Sequence, residues 1–320
     1  MLSHSYIFAL LSGSACAHIY RVLDSSFADP SVVYTGSDYY AFGTTGNHVH
    51  AQTAYSPDFV NWTLLDGHDA LPGPYPTWVS KSSVSLWAPD VIKVSNNSYI
   101  MYYSAREATT GKHCVGAATS SKAQGPYNAT VTNSSLACPL SQGGAIDPDG
   151  FIDTDGTIYV TYKIDGNSLD GDGTTHSTPI MLQKMHSDGI TPDGDPIQLL
   201  DRSDLDGPLI EAPSIMLKDG IYYLSFSSNW YNTEKYDTSY GYATSITGPW
   251  KKQYAPYAPL LKTGTGSKNA GKLSAPGGTD FSVDGTKIVF HANLNGKDIT
   301  KGRAMFVANI TSSDNVISLA

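Results

Sequence analysis

Five segments of the chain repeat one order of polar and apolar positions. Each begins with a short polar stretch containing Pro or Asp, continues into an apolar strand, turns at Gly, Asp or Asn, and returns in an aromatic strand. The segments begin at Asp29, Ala88, Asp147, Ala212 and Thr279, so successive starts are 59, 59, 65 and 67 residues apart. This spacing indicates an internal repeat of about sixty residues.

A further strand follows several of these hairpins. Thr53-Ala-Tyr-Ser, Ala117-Ala-Thr-Ser and Tyr242-Ala-Thr-Ser each precede a turn, and the segments at Met181 and Met305 are weaker copies. A fourth, outer strand should follow each turn. Four short strands per repeat are typical of a propeller blade, so the sequence predicts an all-β fold, a five-bladed β-propeller with four antiparallel strands per blade. A β-sandwich with evenly spaced hairpins is the alternative.

Composition and periodicity agree with a β-rich chain. No segment of ten or more residues keeps a 3.6-residue period, so helices should be short and few. We expect the turn-rich stretches Lys163–Ser177 and Thr263–Ser274 to be loops. Charged residues make up 15% of the chain, which has 21 Tyr and 30 Gly, and this excludes coiled coils, helical bundles and disorder. The net charge of −9 argues against nucleic acid or an anionic membrane as partner.

The first residues have the pattern of a targeting segment. The apolar run Tyr6–Leu11 is followed by Ala15-Cys16-Ala17, although no Lys or Arg precedes the run. The sequence therefore predicts a signal peptide at residues 1–17, a single propeller domain at residues 18–320, and a secreted, extracellular protein. A buried N-terminal strand is the alternative.

Cysteines and sequons agree with export. Removal of Cys16 leaves Cys114 and Cys138 as an even pair, for which we expect a disulfide in an oxidising compartment. Two buried free thiols are the alternative. Five N-x-S/T sequons occur in the chain, at Asn61, Asn96, Asn128, Asn133 and Asn309.

Three carboxylates fall at related positions of the repeat. The innermost strands of a propeller line its central tunnel, so equivalent repeat positions should surround one mouth. Asp29 and Asp147 occupy this position, and Glu211 lies one residue before Ala212. Gathered like charges raise the pKa of at least one acid, and two carboxyl groups of different pKa are what glycoside hydrolysis requires. Alternatively, the two Asp residues only cap turns.

Several motifs together resemble glycoside hydrolase family 43 over nearly the whole predicted mature chain. They are Phe27-Ala-Asp29-Pro-Ser, Trp87-Ala-Pro-Asp90, Ile146-Asp147-Pro-Asp, Ile210-Glu211-Ala-Pro-Ser and the closing segment from Gly277-Gly-Thr to Phe290-His291. The resemblance implies a five-bladed propeller and an inverting hydrolase of arabinose- and xylose-containing plant polysaccharides.

The resemblance also implies roles for individual residues. Asp29 would be the general base that activates water, Glu211 the general acid, and Asp147 the residue that tunes the pKa of the acid and orients it. Trp87 would belong to a sugar platform, or would pack between blades. Arg303 would contact the sugar, or would be a solvated turn residue.

For His291, the resemblance implies a ligand of a structural calcium ion in the central tunnel, with a buried core histidine as the alternative. The chemistry itself would need no cofactor. Asp90 is interpreted as structural.

The expected substrate is arabinan or the arabinose side chains of xylan. A β-xylosidase of the same family, a retaining glycosidase on a similar propeller and a non-catalytic carbohydrate-binding propeller are the alternatives. The expected partner is a plant cell-wall polysaccharide or oligosaccharide, bound by a monomer.

Overall fold

The computed structural model describes residues 18–320, so the predicted signal peptide at residues 1–17 lies outside the described residues. This part of the chain forms twenty β-strands: β1 (Ile19–Arg21), β2 (Ser31–Tyr34), β3 (Tyr39–Gly43), β4 (Gln52–Ser56), β5 (Thr63–Leu64), β6 (Leu86–Ser95), β7 (Ser98–Arg106), β8 (His113–Ser120), β9 (Ala145–Ile152), β10 (Ile158–Ile164), β11 (Ile180–Lys184), β12 (Ile197–Leu200), β13 (Ile210–Lys218), β14 (Ile221–Ser228), β15 (Asp237–Ala243), β16 (Lys251–Lys252), β17 (Gly277–Phe281), β18 (Lys287–Asn293), β19 (Arg303–Ser313) and β20 (Val316–Leu319).

The helices within residues 18–320 are four short 3-10 helices, as expected from the missing 3.6-residue period. They span Ala129–Val131, Leu140–Gln142, Gly166–Asp172 and Ile299–Lys301. In the same residues, no helix has the length and apolar character needed to cross a bilayer.

The strands form five antiparallel sheets that are the blades of a propeller, so the predicted fold is confirmed. Strands β2–β5 form blade 1, β6–β8 blade 2, β9–β12 blade 3 and β13–β16 blade 4, while blade 5 has the order β1-β19-β18-β17 with β20 beside β19. The apolar side chains pack between neighbouring blades. Phe42, Val91 and Met101 join blades 1 and 2 in this way, and Tyr240 and Phe290 join blades 4 and 5.

Two blades depart from the predicted four strands. Beyond β8, blade 2 has only isolated bridges, at Asn128, Ala137 and Gly144. This segment forms two 3-10 helices instead of a strand and is joined to β8 by the Cys114–Cys138 disulfide. The predicted disulfide is thus present. Blade 5 takes β1 as its outer strand, where Ile19 pairs with Ala308. This pairing joins the two ends of the chain and covers the edge of β19.

The innermost strand of each blade carries a distinctive backbone turn at the tunnel mouth. The first tunnel-lining residue of each blade has a left-handed φ: Asp29 (52°), Ala88 (40°), Asp147 (55°), Ala212 (51°) and Gly278 (57°). In blades 2 to 5 the pairing register shifts at this point, as at a β-bulge. A bulge bends the strand and redirects its side chains, which here lie at the mouth. Each non-glycine residue in this conformation costs about 1–3 kcal/mol.

Two residues deeper, a second ring of polar side chains joins each blade to the next. Its members are Ser31, Asp90, Asp149, Ser214 and Asp280. The three carboxylates accept backbone N–H groups from the following blade, from Gly150 to Asp90 (2.8 Å), from Ile215 to Asp149 (3.1 Å) and from Val32 to Asp280 (2.7 Å). This pattern agrees with the structural interpretation of Asp90.

The stretch Lys163–Ser177 is not wholly the predicted loop. Strand β10 continues through Lys163 and Ile164, and a 3-10 helix follows at Gly166–Asp172. The Lys163 ammonium group contacts the carboxylates of Asp165 and Glu211, so the lysine lies within the strand without exposed surface.

Candidate active site

Asp29 lies at the entrance to blade 1 and is held by three neighbouring groups. The Arg303 Nη1 atom donates to Asp29 Oδ1 at 2.7 Å, and the Thr44 hydroxyl donates to Oδ2 at 2.5 Å. Its backbone N–H donates to His291 Nδ1 at 3.1 Å. Burial acts to raise the pKa of Asp29, but the charge of Arg303 and the bond from Thr44 hold it below its usual value. The carboxylate is therefore ionised at neutral pH, as a general base must be.

Asp147 occupies the same position in blade 3 and has the opposite electrostatic environment. Its backbone N–H donates to the Ser104 hydroxyl at 2.9 Å, and its Oδ2 accepts the N–H of Ala212 at 3.0 Å. Burial and the nearby charge of Glu211 raise the pKa of Asp147 well above its usual value. Asp29 and Asp147 thus share a repeat position but favour different protonation states.

Glu211 lies on β13 with both carboxylate oxygens engaged. The Lys163 ammonium contacts Oε2 at 3.0 Å, and the Tyr236 hydroxyl donates to Oε1 at 2.9 Å. About 13% of the Glu211 side chain is exposed, so the group reaches solvent at the mouth while its surroundings are largely dry.

The buried Tyr236 side chain lies between Glu211 and Asp29, because its hydroxyl contacts Glu211 and its ring stacks on His291, which accepts the backbone N–H of Asp29. Burial raises the pKa of Tyr236 well above its usual value, and the charges of Glu211, Asp29 and Asp147 raise it further. The ring also stacks on His291, with centroids 5.8 Å apart. The fold therefore brings together side chains that are distant in sequence, as the repeat predicted.

Arg303 and His291 both face Asp29. The His291 ring is buried, and burial beside Arg303 lowers its pKa to about 3, so it is neutral. Its Nδ1 accepts the Asp29 N–H, and its Nε2 lies 3.3 Å from Arg303 Nη1. Nδ1 also lies 3.3 Å from Asp29 Oδ1, so both ring nitrogens already have protein partners, and the Arg303 cation lies on the Nε2 side, which does not fit a calcium ion bound to this ring. The calcium ion, and His291 as its ligand, stay predictions.

The deeper ring supplies the oxygen groups that a hard cation prefers. One carboxylate oxygen from each of Asp90, Asp149 and Asp280 lies within 4.8 Å of the others, and among the described residues these three could hold a metal ion. Burial raises the pKa of all three groups, that of Asp280 to about 6. Because each also accepts a backbone N–H, the cluster has a structural role without an ion.

Trp87 lies at the mouth beside Ala88 and stacks on His113. The two ring centroids are 3.7 Å apart and the rings are inclined by 22°. Burial lowers the pKa of His113 to about 4, so a neutral imidazole covers one face of the indole. Trp87 is partly exposed, and its role as a sugar platform stays a prediction.

Sequence reasoning missed four residues of the site: Thr44, Lys163, Tyr231 and Tyr236. The Arg303 guanidinium lies 4.9 Å from the centre of the half-exposed Tyr231 ring. A lysine inside the apolar strand β10 was a usable signal, because unpaired charges are rarely buried. The tyrosines carried no signal of their own among 21 in the chain.

Comparisons with known proteins agree with the propeller fold. The extracellular endo-α-(1→5)-L-arabinanase 1 of Bacillus subtilis (strain 168) is 28% identical over 275 residues, which are 82% of this chain and 79% of that protein. An extracellular endo-α-(1→5)-L-arabinanase of Thermotoga petrophila is 31% identical over 159 residues, 42% of this chain and only 33% of that protein. The crystal structure of a thermostable family-43 glycoside hydrolase superposes with a TM-score of 0.74 at 28% identity, and the match covers 92% of both chains.

The family assignment rests on nearly the whole described chain. The model of glycosyl hydrolases family 43 matches residues 21–317, from β1 to β20, and includes all three candidate catalytic acids. The chain therefore belongs to glycosyl hydrolases family 43.

Proposed function

We propose that the protein is a secreted, inverting glycoside hydrolase that cleaves arabinose-containing plant polysaccharide, either arabinan or the arabinose side chains of xylan. Asp29 is the general base, Glu211 is the general acid, and Asp147 tunes the pKa of the acid. The observation that carries the proposal is the difference between two equivalent carboxyl groups. Arg303 and Thr44 favour the charged form of Asp29, whereas burial and Glu211 favour the neutral form of Asp147.

In the proposed mechanism, Asp29 removes a proton from a water molecule as the oxygen of that water bonds to the anomeric carbon. The bond from this carbon to the leaving oxygen breaks on the opposite face of the sugar, which inverts the configuration. An inverting pair needs its carboxyl groups about 6.5–9.5 Å apart to accommodate the water. Asp29 of blade 1 pairs with Arg303, and Glu211 of blade 4 pairs with Lys163. These separate partners support separate roles for the two acids.

Glu211 donates its proton to the leaving oxygen in the same step. Asp147 supports this role because like charges oppose each other, so the neighbouring Asp147 and Glu211 carboxyl groups retain one proton as a pair. After turnover, Asp29 returns the proton it took from water to solvent, and Glu211 regains one. Trp87 would stack on the sugar, and Arg303 would contact it while holding Asp29.

The substrate assignment rests on the family and on two relatives named as arabinanases. Both are also named extracellular, which supports secretion of this chain together with its predicted signal peptide and its disulfide. We further propose that the protein acts as a monomer on its polysaccharide.

Product analysis on linear arabinan, branched arabinan, arabinoxylan and xylobiose tests the proposal. We expect release of arabinose or arabino-oligosaccharides, with an α-linked sugar appearing first as the β anomer by NMR. Release of xylose from xylobiose alone would identify a β-xylosidase instead. The α anomer appearing first would indicate a retaining enzyme.

The variant Glu211→Gln separates an enzyme from a carbohydrate-binding propeller. Loss of a general acid lowers kcat by about 10²–10⁴-fold, whereas oligosaccharide binding should persist because the amide keeps the shape of the carboxyl group. Glu234→Gln is the matched control, since Glu234 pairs with exposed Lys297. No glycoside cleavage by the wild type, together with unchanged sugar binding in Glu211→Gln, would contradict the proposal.

A further inference from the structure

Lys163 is a fully buried lysine next to the candidate general acid. Its side chain has no exposed surface, and its Nζ atom lies 3.0 Å from Glu211 Oε2 and 3.1 Å from Asp165 Oδ1. The contact joins two blades, because Lys163 lies on β10 of blade 3 and Glu211 on β13 of blade 4. Asp165 is itself buried, at 6% exposure. The ammonium group therefore bridges two carboxylates in a largely dry environment.

Stability alone gives little reason for a charge at this position. Removing an ion from water costs several kcal/mol, and apolar residues of similar volume often replace buried ion pairs without loss of stability. A methionine at position 163, with an apolar residue at position 165, would fill similar space without the desolvation cost. What methionine would not supply is the contact with Glu211, which suggests that this contact is the role of the ammonium.

The contacts of Lys163 and Tyr236 fix the orientation of the Glu211 carboxyl group. Lys163 contacts Oε2, and Tyr236 donates to Oε1. An ammonium group has only donors, so the oxygen it contacts must act as an acceptor. When Glu211 carries a proton, the proton is therefore on Oε1, while a tyrosine hydroxyl can accept as well as donate. The ammonium group thereby leaves Oε1 as the oxygen that can carry the proton.

Several charged or titratable groups face this pair from the surrounding elements. Asp147 on β9 and Asp165 just after β10 act on the pKa of Lys163. Tyr236, just before β15, and Arg303 on β19 interact with Glu211, and Asp29, two residues before β2, acts on the pKa of Asp147. The neutral ring of His113 on β8 faces Asp165. Burial acts to lower the pKa of Lys163, but its carboxylate partners raise it above the usual value, so the lysine stays charged.

We propose that Lys163, anchored by Asp165, is a positioning residue for Glu211: its ammonium group fixes the orientation of the carboxyl group. This inference rests on the proposed function, because it assigns Lys163 a part in the proton donation by Glu211. The role differs from a structural one in that it acts on the protonation of Glu211.

Opposite shifts of the pH profile test the inference. Lys163→Met removes the positive charge, so the basic limb of kcat/KM should move to higher pH by about 1–3 units. Asp165→Asn leaves the ammonium with Glu211 as its main charged partner, so the same limb should move to lower pH. We also expect Lys163→Met to lower kcat by about 10- to 100-fold, because displacement of the acid by about 1 Å has effects of that size.

The leaving group provides a second readout. The 4-nitrophenolate group of a 4-nitrophenyl arabinofuranoside departs without protonation. The sugar leaving group of an arabino-oligosaccharide needs a proton from the general acid. The loss caused by Lys163→Met should therefore be much smaller on the nitrophenyl substrate. Lys163→Arg, which retains the charge, should keep the basic limb near its wild-type position. Lys184→Met is the matched control, since Lys184 pairs with Asp193 at the surface and is 53% exposed.

The outcomes separate this inference from the proposed function. If the wild type hydrolyses its substrate and Glu211→Gln is inactive, but Lys163→Met and Asp165→Asn both leave the basic limb in place, the inference on Lys163 is wrong. Equal losses on both substrates with no pH shift would show a structural role only. If the wild type cleaves no glycoside, the proposed function fails first. Should Lys163→Met not fold, as judged by circular dichroism, Asp165→Asn and Lys163→Arg still decide the direction of the shift.

Discussion

Replacing Arg303 by methionine should raise the pKa of Asp29 and move the acidic limb of the pH profile upward. The guanidinium group contacts Asp29 through two bonds, Nη1 to Oδ1 at 2.7 Å and Nη2 to Oδ2 at 3.3 Å. An aspartate with a raised pKa loses its charge at a higher pH. Activity that depends on an ionised Asp29 should therefore disappear earlier as the pH falls.

The size of this shift follows from the geometry. Two unit charges 2.7 Å apart attract each other by about 6 kcal/mol at an effective dielectric constant of about 20. About 20% of the Asp29 side chain is exposed, so water screens part of this attraction, and Thr44 still donates to Oδ2 in the variant. A neighbouring arginine typically lowers an aspartate pKa by about 1–3 units. We expect a shift within this range, equivalent to about 1.4–4 kcal/mol.

The assay is kcat/KM for an arabino-oligosaccharide from pH 3 to pH 9, with Arg303→Lys and Arg21→Met measured in parallel. Arg303→Lys keeps the charge and should retain most of the acidic limb. Arg21→Met removes an exposed ion pair with Asp24 and should leave the profile unchanged. KM should also rise in Arg303→Met, because the proposed sugar contact is lost. An acidic limb that stays at its wild-type pH in a folded Arg303→Met variant would refute the role of Arg303 in keeping Asp29 ionised.

Three more predictions follow from the fold and the mouth of the tunnel. Cys114→Ser should lower the free energy of unfolding by about 3 kcal/mol, because the bond to Cys138 closes a loop with a sequence separation of 24. A wild-type protein with the same denaturation midpoint with and without reductant would contradict this. Asp280→Asn should gain stability relative to the wild type as the pH rises from 4 to 7, because the pKa of Asp280 in the folded state is raised to about 6 and its ionisation therefore costs the folded wild type about 3 kcal/mol. Urea denaturation at both pH values measures the difference in free energy of unfolding between the two proteins. A difference that stays constant with pH would count against this prediction. Tyr231→Ala should lower kcat/KM by about 2- to 5-fold, the value of an exposed cation–π contact with Arg303, and an unaltered kcat/KM would show that the contact has no role.

Much of the candidate site could be predicted because the repeat ties sequence position to place. Asp29 and Asp147 begin two inner strands, and their shared repeat position predicts that they lie at one mouth, where the structure places both. Glu211 lies one residue before the equivalent repeat position, and its side chain is one methylene longer than that of aspartate, so it can reach the same mouth. The stretch Lys163–Ser177 is rich in turn residues and therefore predicts a loop from Lys163 onward. The burial of Lys163 depends on Glu211, a residue 48 positions away.

The repeat also does not predict how the ring of blades closes, with β1 as the outer strand of blade 5. Ile19–Arg21 precedes the first repeat and has no periodic partner, so its place in blade 5 depends on pairing with β19 near the other end of the chain. The missing fourth strand of blade 2 has a similar cause, since a disulfide and two 3-10 helices take the place of strand pairing.

The amino-acid sequence by itself determined the five-bladed fold and the set of carboxylates, because alternating strands, turn residues and a repeat are local patterns that each segment carries alone. Only the tertiary structure decided the charge states and partners of those carboxylates. The pKa of a carboxyl group depends on burial and on charges within a few ångströms, and in this protein those charges come from blades far apart along the chain. Asp29 and Asp147 share one motif position, yet Arg303 beside the first and Glu211 beside the second give them opposite preferences for a proton.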